Sequence, residues 1–218
     1  MLAYKIMRSK HYKPGAKVLT SKANYGKRMF KDQPTTALIH SALDLSRQYS
    51  LSFQQILWMF LDFQNRSFQP RIPDQIPGAH RHELIALANS SKRILDGNFS
   101  ATFWETLYEQ VRVADRPACP TRLKSYFASK DIASLSQYRD NHWGDKMGDK
   151  LACEIEIEAC QVVFEADMVI LDRVTEEMNF ESARPHILRY WDQEVSNQPI
   201  AELLLQGTVA LGKRVQLA

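Results

Sequence analysis

Residues 126–138 read Tyr-Phe-Ala-Ser-Lys-Asp-Ile-Ala-Ser-Leu-Ser-Gln-Tyr, and this stretch decides the fold that the sequence predicts. An apolar run ends at Ser129, a polar turn of Lys130 and Asp131 follows, and the pattern becomes helical as far as Tyr138. A change from strand period to helix period across a short polar turn predicts a strand that leads directly into a helix.

The chain after this stretch is rich in strand patterns. Apolar residues alternate with Glu154, Glu156 and Glu158 over residues 151–158, which predicts a half-buried strand with its acids outward and Cys153 in the core. We also predict strands at residues 162–164, 168–171 and 208–217, and helices at residues 132–141, 183–191 and 199–205.

The chain before it begins with a predicted strand at residues 2–8, a turn at 13–15 and a loop at 16–34. Residues 35–113 then carry apolar stripes at helical spacing, interrupted by a proline-rich segment at 66–79. The order of elements predicts an α+β protein. We expect one domain over residues 1–218, with a helical block inserted after the first strand at about residues 35–113.

Size and composition are those of a globular protein of 218 residues, 44% hydrophobic and 24% charged. No apolar run approaches the roughly 18–20 residues that cross a bilayer, and the first residues lack the apolar core of a secretion signal. We therefore expect a cytoplasmic protein without membrane contact. Three cysteines without a Cys-x-x-Cys pair, and His80-x-His82 without a recognisable third ligand, predict neither a disulfide framework nor a metal site.

Charge is distributed unevenly along the chain. Residues 1–31 hold nine Lys or Arg and no Asp or Glu, whereas residues 150–181 are acidic. A basic segment of this kind predicts a surface that attracts polyanions such as nucleic acid. The alternative is a solvated basic edge that pairs with acids elsewhere in the fold.

The strand, turn and helix of residues 126–138 resemble the segment that forms the nicotinamide pocket of ADP-ribosyltransferases. The end of the first strand at Arg8 and Ser9 matches the place of the family's first NAD-binding residue. Residues 164–172 look like its late strand, which begins with a catalytic acid. Other features resemble an uncharacterised group of phage and bacterial proteins: Tyr4 with Arg8, Lys13-Pro14-Gly15, Arg122-Leu123-Lys124-Ser125-Tyr126-Phe127, Arg189-Tyr190-Trp191 and residues 202–207.

The resemblance implies a split β-sheet core of the ADP-ribosyltransferase type and NAD as the substrate. It implies that Asp167 or Glu165 is the catalytic acid, with the choice between them open. The residues that it implies for NAD binding are Arg8, Ser9, Ser125, Tyr126, Phe127, Ser129 and Tyr138.

These residue types suit the chemistry, and each also has a structural alternative. A carboxylate stabilises the oxocarbenium-like transition state of NAD cleavage, an arginine fork holds a phosphate, and tyrosine rings stack on nicotinamide. Equally, Arg8 could be a solvated edge residue, Tyr126 and Phe127 core residues, Tyr138 a helix residue that covers the core, and Glu165 a solvated acid. No Gly-x-Gly-x-x-Gly sequence or P-loop is present.

The function expected from the resemblance is transfer of ADP-ribose from NAD to a macromolecule, with RNA favoured because of the basic first segment and a protein acceptor nearly as well supported. The phage and bacterial character suggests a toxin or effector in phage–host conflict, with a possible antitoxin partner. Two alternatives are a non-catalytic relative that binds RNA or a protein, and an enzyme that hydrolyses NAD with water as the acceptor.

Overall fold

The structure is a computed structural model that describes residues 1–23, 26, 33–65, 70–90, 99–144 and 147–217. The described residues form five strands, at Leu2–Arg8 (β1), Lys17–Leu19 (β2), Tyr126–Ser129 (β3), Lys150–Asp167 (β4) and Ala201–Val215 (β5). They also form seven α-helices, at Gln33–Tyr49 (α1), Phe53–Gln64 (α2), Gly78–Ser90 (α3), Phe99–Asp115 (α4), Ile132–His142 (α5), Met168–Leu171 (α6) and Phe180–Trp191 (α7). The predicted α+β class is confirmed.

Contacts divide the chain into two compact units. The first comprises Met1–Lys27, Ala118–Asp172 and Arg189–Ala218, and the second comprises Arg28–Pro117 and Arg173–Leu188. The first unit holds all the described strands, and the second holds α1 to α4. The prediction that residues 1–218 behave as one domain stays a prediction.

The sheet of the first unit is antiparallel, in the order β2-β5-β3-β1-β4, with an additional pairing of β4 with β5. The pairings of β1 with β3, β3 with β5, β5 with β4 and β4 with β1 therefore close into a ring. Closure requires the long strands to bend, and the β4–β5 register shifts at three points. Gly207 lies at one of them with φ 143°, where a Cβ would collide with the Ala159 carbonyl oxygen.

Alternation along the strands gives each face of the sheet its own packing. One face carries the main core, which includes Ala3, Tyr126, Ala128, Cys153, Ile155, Leu203, Leu205, Val209 and Leu211. Burial raises the pKa of the Cys153 thiol to about 11, so this side chain acts as an apolar core residue, as predicted. On the other face, Leu135 of α5 packs on Ile6 and Ala152.

The second unit is helical and held by aromatic and charged contacts of its own. Ser52 and Gln55 form a reciprocal capping box at the start of α2. Asp62 accepts two hydrogen bonds from the Arg71 guanidinium, at 2.8 and 2.9 Å, which hold the pKa of Asp62 below its usual range. Within the described residues, no helix combines the length and apolar character needed to cross a membrane.

Several element predictions were wrong, for identifiable reasons. Residues 168–171 form a helix rather than a strand because the Asp167 side chain caps it, and a four-residue apolar run does not distinguish the two. Residues 201–205 belong to a strand whose leucines are buried on both faces, not to a helix. The predicted loop at 16–34 includes β2, so the helical block follows two strands, not one.

Candidate functional site

Strand register brings three polar residues into one row. Tyr4 of β1 lies opposite Ser129 of β3, and Ser129 lies opposite Glu202 of β5. Directly opposed residues of antiparallel strands point to the same face, so these side chains share the face that is opposite to the main core. Phe127 lies two residues before Ser129 and shares this face. The row therefore joins part of the predicted nicotinamide segment to a carboxylate on β5.

The Glu202 carboxylate is held by two neighbours. Its Oε1 atom accepts a hydrogen bond from Arg122 Nη1 at 2.6 Å and another from the Tyr190 hydroxyl at 2.8 Å. Glu202 is 9% exposed, Arg122 is 5% exposed and Tyr190 is fully buried. The Arg122 guanidinium also lies over the Phe127 ring, with Cζ 4.8 Å from its centroid. A buried charge needs partners of this kind, and here they fix the acid in one orientation.

Local sequence explains the position of Arg122. The Thr121 side chain accepts a hydrogen bond from the Leu123 backbone N–H and so caps a 3-10 turn over Arg122–Lys124. The Ser125 hydroxyl donates to the Thr121 carbonyl at 2.8 Å and accepts from Gln206 Nε2 at 3.1 Å. Ser125 is fully buried by these contacts. Its observed role is to hold the turn that aims Arg122 at Glu202.

Four residues of the first unit, Tyr138, His142, Asp172 and Glu202, are connected by a ring contact and by mutual charge effects, and we call them the acidic cluster. Asp172 is exposed to solvent, and partial desolvation raises the pKa of its carboxyl. The charges of Glu202 and Asp167 raise this pKa further, and His142 lowers it. The rings of Tyr138 and His142 lie 4.4 Å apart between centroids. Tyr138, one of the two predicted stacking residues, thus contacts His142, whose charge acts on Asp172 together with the charge of Glu202.

The Asp167 carboxylate is occupied by backbone groups. Oδ1 accepts from the N–H groups of Val169 and Ile200, both at 3.0 Å, and Oδ2 accepts from the N–H of Ser196 at 2.8 Å. Asp167 is 2% exposed and is the N-cap of α6. A buried acid needs partners, and the backbone of its own unit supplies them, which gives this side chain a clear structural role.

Glu165, the other predicted acid, lies opposite Leu203, whereas Glu202 lies opposite Ala166. Strand alternation therefore puts Glu165 and Asp167 on the face opposite to Ser129 and Glu202. The Glu165 side chain is 46% exposed and pairs with Lys130 Nζ at 2.9 Å, a hydrogen bond that raises the pKa of Lys130. As catalytic acids, both residues remain predictions.

Other predicted residues lie elsewhere in the first unit. Arg8 and Ser9 are exposed at the end of β1, where Arg8 lies opposite Lys150, the first residue of β4, while Asp167 is its last. The structure does not bring Arg8 and Asp167 together. Tyr126 points into the main core with 6% exposure, beneath Lys5 Nζ at 4.3 Å, and burial raises the pKa of its hydroxyl. Its placement is the core alternative that the sequence left open.

Sequence reasoning missed Glu202 as a candidate acid because residues 199–205 read as helix. A usable signal was present: Glu202 directly precedes the apolar run 203–205, the same pattern of an acid before an apolar strand that drew attention to residues 164–172. No pattern could predict that Arg122 and Tyr190, which are 80 and 12 residues away along the chain, would meet it. In the described part of the chain, no group of three His, Cys, Asp or Glu is arranged to hold a metal.

Comparison with known proteins assigns a family but no activity. Residues 3–216 match the family described as "Protein of unknown function (DUF2441)", so the chain belongs to this family. A search of curated proteins finds no match.

Proposed function

We propose that this member of the DUF2441 family is an ADP-ribosyltransferase, which transfers ADP-ribose from NAD to a macromolecular acceptor, RNA in our proposal. The observation that carries the proposal is the position of Glu202: a carboxylate fixed by Arg122 and Tyr190 shares a sheet face with Ser129 and Phe127 of the segment that resembles a nicotinamide pocket. An ADP-ribosyltransferase-like split sheet is part of the same proposal.

The proposed reaction uses each of these groups. The bond between ribose C1′ and the nicotinamide nitrogen breaks, and its electron pair leaves with neutral nicotinamide. C1′ then carries positive charge, which a fixed carboxylate stabilises because it needs no reorganisation. An oxygen or nitrogen atom of the acceptor bonds to C1′ and gives its proton to Glu202 or to water. Glu202 is the acid that we assign to this step, in place of Asp167 or Glu165.

Binding of NAD is assigned to Ser129 and to the acidic cluster. Ser129 faces Glu202 across the strand pair and can orient the ribose or the carboxamide. Tyr138 offers a half-buried ring to the nicotinamide, a contact worth about 0.5–1.5 kcal/mol beyond burial. In this version of the site, Ser125 and Tyr126 support the sheet, and Arg8 and Ser9 lie at the other end of β4.

The test compares Glu202→Gln with Glu165→Gln. The first substitution keeps hydrogen-bonding groups but loses the charge, so we expect transfer of labelled ADP-ribose from NAD to total RNA to fall about 100-fold or more. Glu165→Gln removes an exposed carboxylate on the opposite face of the sheet and should leave transfer unchanged. Labelling of RNA, DNA and protein in parallel identifies the acceptor.

Three outcomes would contradict parts of this proposal. Full activity of Glu202→Gln removes Glu202 from the catalytic role, and label on protein alone removes RNA. Free ADP-ribose without any labelled macromolecule indicates an NAD glycohydrolase instead. If the protein leaves NAD intact with every acceptor, the transferase proposal fails.

A non-catalytic relative is the second candidate, and a specific observation favours it: among the described residues of the first unit, the two buried carboxylates, Asp167 and Glu202, already have partners within the protein. Such a protein would bind RNA or another protein and show no heat on titration with an NAD analogue. Our placement of the protein in phage–host conflict, with a possible antitoxin, rests on the sequence resemblance; growth arrest on expression of the parent, but not of Glu202→Gln, tests it.

A further inference from the structure

The first unit has a pocket lined by residues of α5, β4 and β5 and of the segments beside them. Its volume is about 570 Å³, within the range of about 300–1,000 Å³ that ligand pockets occupy. We call it the basic pocket, and its lining includes Arg139, Met147, Ala152, Arg214, Val215 and Leu217. Apolar side chains thus form much of the lining, and two guanidinium groups contribute to it.

Two more cations adjoin the basic pocket. Lys150 directly precedes Leu151, which also lines the pocket, and Arg8 is the cross-strand partner of Lys150. Like charges directly opposite each other on neighbouring strands are unfavourable unless an anion offsets them. The pair therefore contributes to a concentration of positive charge at this end of β4.

The cations here are held differently from others in the unit. Lys150 Nζ lies over the Trp143 ring at 5.1 Å, and the Arg214 guanidinium lies over the Tyr12 ring at 5.0 Å. Within the described residues, neither side chain has a carboxylate partner. Other cations of the first unit do pair with carboxylates: Lys17 with Glu158, Lys130 with Glu165, Arg189 with Glu194 and Lys213 with Glu154. Aromatic rings orient a cation without neutralising it, so Lys150 and Arg214 keep their charge for a ligand.

We infer that the basic pocket binds single-stranded RNA, with the cations on its phosphates and a base or sugar against the apolar lining. Arginine forks match phosphate geometry, and single-stranded RNA combines phosphates with flat, unstacked bases. Arg139 also pairs with Asp140 at 2.7 Å, and the nearby acid Glu154 is taken by Lys213. The choice of RNA rests on the proposed function, in which RNA is the acceptor, whereas the site for an anion does not.

The test measures binding without NAD. Fluorescence anisotropy follows a labelled single-stranded RNA of about 12 nucleotides, long enough to follow such a groove, at several salt concentrations. We expect the double variant Lys150→Ala/Arg214→Ala to raise Kd about tenfold or more. The slope of log K against log salt should become shallower by about 0.7 for each lost phosphate contact.

The matched control is Lys17→Ala, which removes a cation of the basic first segment that already pairs with Glu158. Its Kd should stay within about twofold of the parent value. Equal weakening by Lys17→Ala and by the double variant would indicate a diffuse basic surface and overturn the pocket. Unchanged binding by the double variant, or no binding of RNA by the parent, would also overturn it, as would equally strong competition by heparin.

The two proposals can fail separately. Release of nicotinamide from NAD in the absence of RNA should be the same in the double variant and the parent, because neither residue is among the groups assigned to NAD binding. RNA binding without any NAD cleavage would leave the basic pocket in place and remove the transferase. NAD cleavage together with unchanged RNA binding in the double variant would leave the transferase proposal in place and remove the basic pocket. Circular dichroism confirms that each variant is folded.

Discussion

The two ends of β4 treat charge in opposite ways. At its last residue, the Asp167 carboxylate accepts three backbone hydrogen bonds, and on the neighbouring β5 the Glu202 carboxylate is held by Arg122 and Tyr190. At its first residue, Lys150 lies over an aromatic ring opposite another cation, Arg8. The acids at one end are hydrogen-bonded by groups of the protein itself. The cations at the other end remain available to interact with solvent or a ligand.

This difference predicts which substitutions of charged residues should change the free energy of unfolding. Removing a carboxylate that has internal partners leaves buried donors unsatisfied, so the free energy of unfolding should fall. Removing a cation such as Lys150, whose ammonium contacts an aromatic ring and the Met147 carbonyl but no carboxylate among the described residues, should change ligand binding and leave stability nearly constant. Stability measurements on matched variants of the two ends of β4 test whether they differ in this way.

The largest expected effect is that of Glu202→Ala. It leaves Arg122, which is 5% exposed, without the charge that compensates it, and it empties part of the packing around Tyr190. Breaking a buried ion pair on one side costs about 3–5 kcal/mol. Urea denaturation followed by tryptophan fluorescence should show this loss.

The matched change at the other end is Lys150→Ala, which should alter the free energy of unfolding by less than about 0.5 kcal/mol. Glu202→Gln, which keeps hydrogen-bonding groups toward Arg122 and Tyr190, should lie between the two. If Glu202→Ala is as stable as Lys150→Ala, the contacts of Glu202 contribute no more to stability than those of Lys150. The two ends of β4 then do not differ as described.

Asp167→Ala should give the next largest loss of stability. Three backbone N–H groups, of Val169, Ser196 and Ile200, lose their acceptor, and the N-cap of α6 is removed. Loss of the cap and of the other acceptors should cost about 2–4 kcal/mol in total.

Asp167→Asn adds a variant of intermediate stability to this test. Its remaining oxygen can still accept from Val169 and Ile200, but its amide group cannot accept from Ser196, so an intermediate loss is expected. Thermal unfolding of the three proteins should rank them parent, Asn, Ala. An Asp167→Ala variant that unfolds at the parent temperature would show that these backbone bonds contribute little.

Sequence patterns predicted the elements whose apolar residues follow a regular period and failed where tertiary contacts determine the structure. The alternation around Cys153 correctly predicted the part of β4 at residues 151–158, and the helical pattern after Ser129 correctly predicted α5. The leucines at 203–205 have no visible period because both sides of β5 are covered, so the sequence predicts a helix there. Glu202 is therefore not among the predicted site residues, although its neighbour across the strands, Ser129, is.

The uneven distribution of charge could also be predicted from the sequence only in part. The sequence showed that residues 1–31 are basic, but not which cations have partners: Lys17 pairs with Glu158, whereas Arg8 is opposite Lys150. Pairings of this kind depend on strand register, which a single sequence does not specify well for a ring of bent strands. The basic pocket, formed by α5, β4 and β5, could not be predicted for the same reason.

The smallest expected effect concerns pH and Asp172 in the acidic cluster. Desolvation, together with the charges of Glu202 and Asp167, raises the pKa of Asp172 above the value of 3.8 that it has when unperturbed. The folded state therefore holds this proton more tightly than the unfolded chain, and the ionised carboxylate lowers stability as pH rises through the raised pKa. Asp172→Asn removes the ionisation, so at pH 7 we expect the variant to be more stable than the parent. Below pH 3.8, where the carboxyl is protonated in both folded and unfolded parent, the difference should vanish.

Unfolding at pH 7 and in acid, with the exposed strand residue change Glu156→Gln as control, separates this effect from a general change in net charge. Both substitutions remove one negative charge, but Glu156 lies outside the acidic cluster, whereas the charges of Glu202 and Asp167 act on Asp172. Equal shifts in the two variants would mean that the effect is one of net charge and that the acidic cluster does not destabilise the ionised Asp172. A shift confined to Asp172→Asn would instead mean that desolvation and the neighbouring carboxylates make ionisation of Asp172 unfavourable in the folded protein.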